Sequence, residues 1–201
     1  MVQFQAGDVT ALEISPTVDE TTRTAGEPFD VDLRLIDSAG NTVSGTVASV
    51  LLMESCVGGT FQSLETFVDD GRVTVRPTKA CPDNTISGMA VVEAQSIQGA
   101  SEPFAVESGP LNGLEVLVSP SSVVAGIDDL SVWIQGQDSW GNDVGTDLGE
   151  IDLMLDAIPL EESGGTGSYE CVPLGPGESM CTAKVFTAAP AVLLRALAST
   201  G

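Results

Sequence analysis

The chain has 201 residues, 42% of them hydrophobic, with 22 Gly and 11 Pro, and its 29 acidic residues against seven basic ones give a net charge of −22. That charge excludes binding to a nucleic-acid backbone or an anionic lipid surface, either of which would repel it. The sequence has no His, which excludes Ser-His and Cys-His nucleophile pairs, and no G-x-S-x-G, phosphate-loop or dinucleotide glycine pattern occurs.

The opening "MVQFQAGDVT" has neither a basic head nor an apolar run, so it reads as a mature N-terminus or the start of a piece of a longer chain. "LEISP" (12–16) is the first strand-like run. In "PFDVDLRLID" (28–37), Phe29, Val31 and Leu33 alternate with Asp30, Asp32 and Arg34, the period-2 mark of a strand with one buried face. "DSAGN" (37–41) follows, a turn in which Gly allows positive φ and Asp and Asn bond their own backbone. "VLLMES" (50–55) predicts a strand, "VDDGR" (68–72) a hairpin turn, "GRVTVRPT" (71–78) a strand, and "GMAVVEAQS" (88–96) and "SEPFAVESGP" (101–110) two more.

Then the series starts again. "LEVLVSP" (114–120) resembles "LEISP", and each is followed by Ala-Gly. "DLSVWIQGQD" (129–138) repeats the alternating strand, with Leu130, Val132 and Ile134 in place of Phe29, Val31 and Leu33. "DSWGN" (138–142) repeats the turn, "IDLMLD" (151–156) matches "VLLMES", and "AVLLRALAS" (191–199) resembles "GMAVVEAQS". A repeat of about one hundred residues is too long for a solenoid unit and suits two small domains. The predicted fold class is all-β, two tandem sandwiches: 1–9 as a leading strand or linker, 10–109 as the first domain and 110–201 as the second.

Four cysteines fall two to a copy, at positions that do not match between copies, with no C-x-x-C pair. Cys56 follows the "VLLMES" strand, Cys81 follows "GRVTVRPT", and Cys171 and Cys181 flank "VPLGPGESM", the tip of a hairpin. The repeat boundary pairs them within copies, Cys56 with Cys81 and Cys171 with Cys181, which points to an oxidising compartment. The rival reading is four free buried thiols, and a thiol count under denaturing, non-reducing conditions separates the two.

Other candidates are few. Asp37, Asn41, Asp69, Asp70, Asp138 and Asn142 sit in or beside turns and offer oxygens to calcium, although turn geometry alone accounts for the Gly-Asn motif and no EF-hand spacing occurs. The carboxylate pairs Asp69-Asp70, Asp128-Asp129 and Glu161-Glu162 are adjacent in sequence, whereas a glycosidase needs two carboxyls facing across a sugar. No enzyme is expected. Trp133 falls on the outward side of its strand and Trp140 lies in a turn; either anchors a partner, or Trp133 is covered by neighbouring chain.

The frame "LEISP…AGEPFDVDLRLIDSAGNTVSG" resembles the bacterial immunoglobulin-like (Big-like) repeats of invasin- and intimin-type surface proteins, where an alternating strand ends in Asp and a Gly-Asn turn leads onward. The resemblance covers both copies and implies extracellular spacer or adhesin modules whose neighbours are further immunoglobulin-like domains. With that fold's letters the first copy becomes A (10–15), B (28–37), C (47–54), a C-to-E crossover, E (72–78), F (88–96) and G (102–107), and the end of C then meets the E–F loop at one pole, where Cys56 and Cys81 must join. The second copy has no G strand after F, while residues 2–7, with Val2 and Phe4, look like a G strand, Phe4 matching Phe104. The expected role is a non-catalytic piece of a cell-surface stalk, adhesin or fibre. It is either one stretch of a longer array or a subunit whose N-terminal strand fills the next molecule head-to-tail. The alternative is a glycan- or receptor-binding module.

Overall fold

The computed structural model describes residues 6–17, 21–59, 62–68, 70–155, 158–160, 167–186 and 193–199. Val2, Phe4, Asp69, Glu161 and Glu162 lie outside them. Among the described residues there is no helix, and the chain divides into two compact units, Met1–Glu107 and Ser108–Gly201.

Unit 1 contains β1 (Ala11–Pro16), β2 (Thr22–Thr24), β3 (Phe29–Ile36), β4 (Val47–Glu54), β5 (Gln62–Val68), β6 (Asp70–Val75), β7 (Cys81–Asn84), β8 (Ile86–Val92), β9 (Gln95–Ala100) and β10 (Phe104–Glu107). One sheet runs β1-β3-β6 and the other β5-β4-β8-β9, with β2-β10-β7 closing one end. The alternation in β3 sets which face is inside: Phe29, Val31, Leu33 and Leu35 are buried, while Asp30, Asp32 and Arg34 point outward. Ala48, Val50 and Leu52 of β4 and Ile86, Ala90 and Val92 of β8 meet them from the second sheet. Burying a Val, Leu or Phe side chain contributes roughly 1.5–3 kcal/mol, so this interlocked set is the main source of stability.

The crossover between C and E contains β5, hydrogen-bonded to β4. Two expectations for unit 1 are corrected. "VDDGR" is not a hairpin turn, because β5 and β6 belong to different sheets and the chain changes sheet there. The F strand ends at Val92, and Gln95 already begins β9. The reversal sits at Glu93 and Ala94, both in the left-handed region (φ 45° and 69°). Tight hairpins of this kind favour Asn-Gly, so Glu-Ala gave no turn signal. The G strand is correspondingly longer than 102–107, running as β9 and then β10.

Unit 2 contains β11 (Gly113–Ser119), β12 (Leu130–Gln137), β13 (Glu150–Leu155), β14 (Ile158–Pro159), β15 (Gly167–Gly175), β16 (Glu178–Val185) and β17 (Leu194–Ser199). Its sheets are β11-β12-β16-β15 and β14-β13-β17. Leu130, Val132 and Ile134, with Cys181 and Ala183 beside them in the same sheet, face Ile151, Leu153 and Leu155 across the core. The C-to-E connection here first places the short β14 on β13, as β5 lies on β4, and then forms β15, an extra strand on the opposite sheet. Register also corrects the sequence match near the end. Val50 pairs with Ala90, and Ile151 with Ala198, so Leu194–Ser199 corresponds to 86–91 and not to 91–96, where the match of 191–199 with 88–96 sets it.

Both disulfides form within units. Cys56–Cys81 ties the segment after β4 to the start of β7. Cys171–Cys181 joins direct cross-strand partners of the β15–β16 hairpin.

Candidate functional site

The repeated turn is a hydrogen-bond hub. In "DSAGN" the backbone N–H groups of Ala39 and Asn41 donate to Asp37 Oδ1 at 2.8 and 2.9 Å, and the Asn41 amide reaches both oxygens at 3.2 and 3.1 Å. The fourth donor comes from 30 residues away: Gly7 N–H, 2.8 Å from Oδ2. In "DSWGN", Trp140 and Asn142 N–H donate to Asp138 Oδ1 at 2.8 and 2.9 Å, and the Asn142 amide and Gly109 N–H each reach Oδ2 at 2.8 Å. Gly40 and Gly141 hold φ of 81° and 75°, the left-handed conformation the turn needs. Each hub thus pins the segment leading into the first strand of its unit onto the B–C turn.

The hubs fix the charge state of both carboxyls. Asp37 is held well below the usual carboxylate range, chiefly by the Gly7 N–H and then by the Asn41 amide and backbone. For Asp138 burial is the largest single influence and opposes ionisation, but the Asn142 amide and the N–H groups of Asn142, Gly109 and Trp140 together outweigh it, and its pKa is also lowered. These N–H donors occupy the oxygens that were candidate calcium ligands, and Asn41 and Asn142 turn their amide nitrogens toward the carboxylates. Asp70 is placed by its backbone in β6. Among the described residues no group of three or more His, Cys, Asp or Glu side chains could hold a metal ion.

Asp128 accepts from Val124 N–H at 2.8 Å, and Asp129 pairs with Lys184 at 3.2 Å. A cleft of about 700 Å³ in unit 2 is lined by Asp147, Glu150, Tyr169, Glu170 and Cys171 among others; Cys171 is closed in its disulfide and supplies no thiol.

Trp133 lies on the outward face of β12, in register with Leu117 of β11 and Met180 of β16, and Met180 is in register with Val172 of β15. The four side chains form one apolar row across the sheet. Leu117 and Val172 at its ends are 53% and 49% exposed, while Trp133 and Met180 are half-buried. The indole N–H of Trp133 donates to Glu178 Oε1. Trp140 is exposed and enters the hub only through its backbone.

The second surface is an edge. In unit 1, β8 pairs with β4 on one side and β9 on the other. In unit 2, β17 pairs with β13, and among the described residues no strand lies along its other edge. A groove of about 370 Å³ runs there, between Leu111–Leu114 and Ala196–Ala198. It stands where unit 1 has β9. Leu12 (3% exposed), Gly88 and Ala90 are buried beneath β9, whereas their counterparts Leu114, Ala196 and Ala198 are only half-buried. No local sequence signal marks this groove; it follows from what pairs with what.

No family model matches the chain, and no curated protein matches it. Among solved structures it is similar to FdeC, an Escherichia coli adhesin, with 18% identity over 96% of this chain and 61% of that one and a TM-score of 0.43. It is also similar to invasin, a bacterial integrin-binding protein (12% identity, 92% of this chain, 35% of that one, TM-score 0.34). A β-glycosidase from Bacteroides vulgatus matches at 9% identity, over 96% of this chain and 25% of that one, with a TM-score of 0.36. The chain spans about three fifths of the FdeC structure and about a third of the invasin structure. The pairing order decides the fold: A-B-E strands against C-F strands in both units, with the parallel contact of β2 on β10 in the first. Both units are immunoglobulin-like sandwiches. Unit 1 completes its second sheet with β9, and unit 2 carries the open groove at the same place.

Proposed function

We propose that the chain is a non-catalytic structural module of a cell-surface stalk, adhesin or fibre, built from immunoglobulin-like units that are joined by shared strands. The observation that carries this is the recurrence of one sandwich frame in series, with A-B-E strands against C-F strands in both units. Among the described residues no strand pairs the outer edge of β17, and an exposed edge recruits a strand through main-chain hydrogen bonds. The hubs add a second support. Gly7 and Gly109 occupy equivalent positions on Asp37 and Asp138. Counted from these glycines, Val2 matches Phe104 and Phe4 matches Val106, two positions from the sequence alignment that set Phe4 on Phe104. Phe104 and Val106 both point into the unit 1 core. Identical subunits joining head-to-tail through Val2 and Phe4 would make a contact that does not close on itself and so grows a filament. Disulfides in both units fit an extracellular setting.

Negative-stain electron microscopy of the chain, beside a version lacking residues 1–5, tests the head-to-tail contact. Filaments that vanish on truncation support it; separate two-unit particles from both versions overturn it and leave a spacer within a longer array.

The Leu117–Trp133–Met180–Val172 row favours a second reading, a recognition surface for a glycan or receptor. Trp133→Ser would then abolish binding to that partner at a temperature where unit 2 remains folded.

A further inference from the structure

We infer that the cleft between the sheets of unit 2 is a binding site for a guanidinium group, presented by an arginine side chain of a partner protein. The site is separate from the head-to-tail contact and from the Trp133 row. It arises from the path of the C-to-E connection. β15 widens the sheet β11-β12-β16-β15 by one strand, whereas β14, which extends the facing sheet on that side, pairs only with Met154 and Leu155. Tyr169, Cys171 and Pro173 are in register with the buried Ala183, Cys181 and Ser179, so they turn inward from β15. Among the described residues no strand lies opposite them, and the cleft of about 700 Å³ is the space they overhang beside the start of β13.

Two observations point to a ligand. The first is at the bottom of the cleft. Ser179 lines it and is only 5% exposed. Its hydroxyl has no hydrogen-bond partner among the described residues, and no unpartnered side-chain oxygen of theirs is sealed from solvent. The hydroxyl therefore opens onto the cleft. A hydroxyl so deeply buried is costly until something bonds to it. The second observation is at the rim. Asp147, Glu150 and Glu170 are exposed carboxylates around the mouth, and no Lys or Arg is among the described lining residues. Asp147 Oδ1 accepts from Gly149 N–H at 3.0 Å, which fixes the turn there. Tyr169 supplies a wall, its hydroxyl donating to Asp152 Oδ1 at 3.2 Å.

The carboxylates do not converge on a point: no three acidic, His or Cys side chains among the described residues are placed to hold a metal ion. Spread carboxylates, an aromatic wall and one hydroxyl at the bottom suit an extended planar cation. A guanidinium has five N–H donors in a fixed fork, is more weakly hydrated than an ammonium and stacks on aromatic faces. It offers donors to Ser179 Oγ and to the rim carboxylates while its face lies along Tyr169 and its methylene stem on Ile151 and Pro173. The net charge of −22 draws basic partners toward the chain; the cleft adds a shape that separates arginine from lysine.

The test titrates the ¹⁵N-labelled whole chain with the peptide acetyl-Gly-Arg-Gly-amide, followed by NMR. Two further peptides replace the arginine with citrulline, its uncharged isostere, or with lysine. The arginine peptide is expected to shift the amide resonances of Gly149, Tyr169 and Ser179. The citrulline peptide should leave them unmoved, and the lysine peptide should bind at least about threefold more weakly. Glu150→Gln/Glu170→Gln should weaken the arginine peptide at least about tenfold. Glu115→Gln/Asp143→Asn removes the same charge elsewhere in unit 2 and should change its binding by less than about twofold. Ser179→Ala should weaken it severalfold without lowering the melting temperature, because that hydroxyl bonds nothing in the chain. No shift with the arginine peptide, or equal shifts with the citrulline peptide, overturns the site. Equal losses in the two charge variants overturn it as well, reducing it to general attraction by an acidic surface. Tighter binding of agmatine, a guanidinium on a free small molecule, overturns the partner protein as its source.

Discussion

The two units use one frame and dress it oppositely. On the outer face of the A-B-E sheet, unit 1 places Ser15, Asp32 and Arg72 in a cross-strand row, with Arg72 Nε 2.8 Å from Asp32 Oδ1. Unit 2 places Leu117, Trp133 and Met180 at the same three positions and extends the row to Val172. The extension exists because the C-to-E connection ends on different sheets: on β4 as β5 in unit 1, and on β16 as β15 in unit 2, after the short β14 on β13. The same choice explains why the cysteines do not match between copies. Each disulfide fastens the region of its own crossover, bridging from the end of C to β7 in one unit and staying within the β15–β16 hairpin in the other. The two units thus share a core and a B–C hub while their connections and outer faces differ.

The largest effect expected on this comparison comes from the staples. Closing 25 residues in unit 1 and ten in unit 2 corresponds, on chain entropy, to about 3.5 and about 2.7 kcal/mol. Urea unfolding of Cys56→Ala/Cys81→Ala should lower the transition of unit 1, and Cys171→Ala/Cys181→Ala that of unit 2 by somewhat less. A single shared shift from either variant would break the picture of two independent units.

Next comes the hub. Asp138→Ala strands the N–H groups of Gly109, Trp140 and Asn142 and should cost unit 2 about 2–3 kcal/mol; Asp37→Ala should act on unit 1 in the same sense. Because both carboxyls have pKa values below their unfolded ones, the unfolded chain takes up protons first as the pH falls. The stability from the hubs is complete above the unfolded carboxyl pKa of about 4 and is lost as the pH drops below it. Thermal melts from pH 6 to pH 2 should show that loss, with a smaller decline in an Asp37→Asn/Asp138→Asn variant.

Smaller still, Trp133→Ser should cost unit 2 about 1–2 kcal/mol through lost half-buried area. Glu93→Asn with Ala94→Gly should stabilise unit 1 by about 1 kcal/mol, since both residues now sit at positive φ. Least of all, replacing the exposed Asp32–Arg72 pair with Ser and Thr should leave the unit 1 midpoint unchanged within error, in contrast to Trp133 at the matching position. Equal losses from the two rows would show that the outer faces are energetically alike despite their chemistry.

Much of the frame was legible in local pattern. Phe29-Val31-Leu33 and Leu130-Val132-Ile134 declare their buried face by period-2 alternation, and Asp-x-x-Gly-Asn declares its turn. The cysteine pairs followed from the repeat boundary. The hub was half legible: Asp and Asn within the turn, but not Gly7 or Gly109, which reach it from 30 and 29 residues away. The Glu93-Ala94 reversal was silent because neither residue is a turn former.

The sequence by itself determined the A, B, C and E strands, the recurring turn, the sandwich class and the pairing of the cysteines, because alternation and turn chemistry act over a few residues. Only the tertiary structure decided which sheet each crossover joins, how Trp133 is stacked between Leu117 and Met180, and that β17 lies beside an open groove. Those depend on backbone hydrogen bonds between segments far apart in the chain, and such pairing leaves no period in the residues that make it.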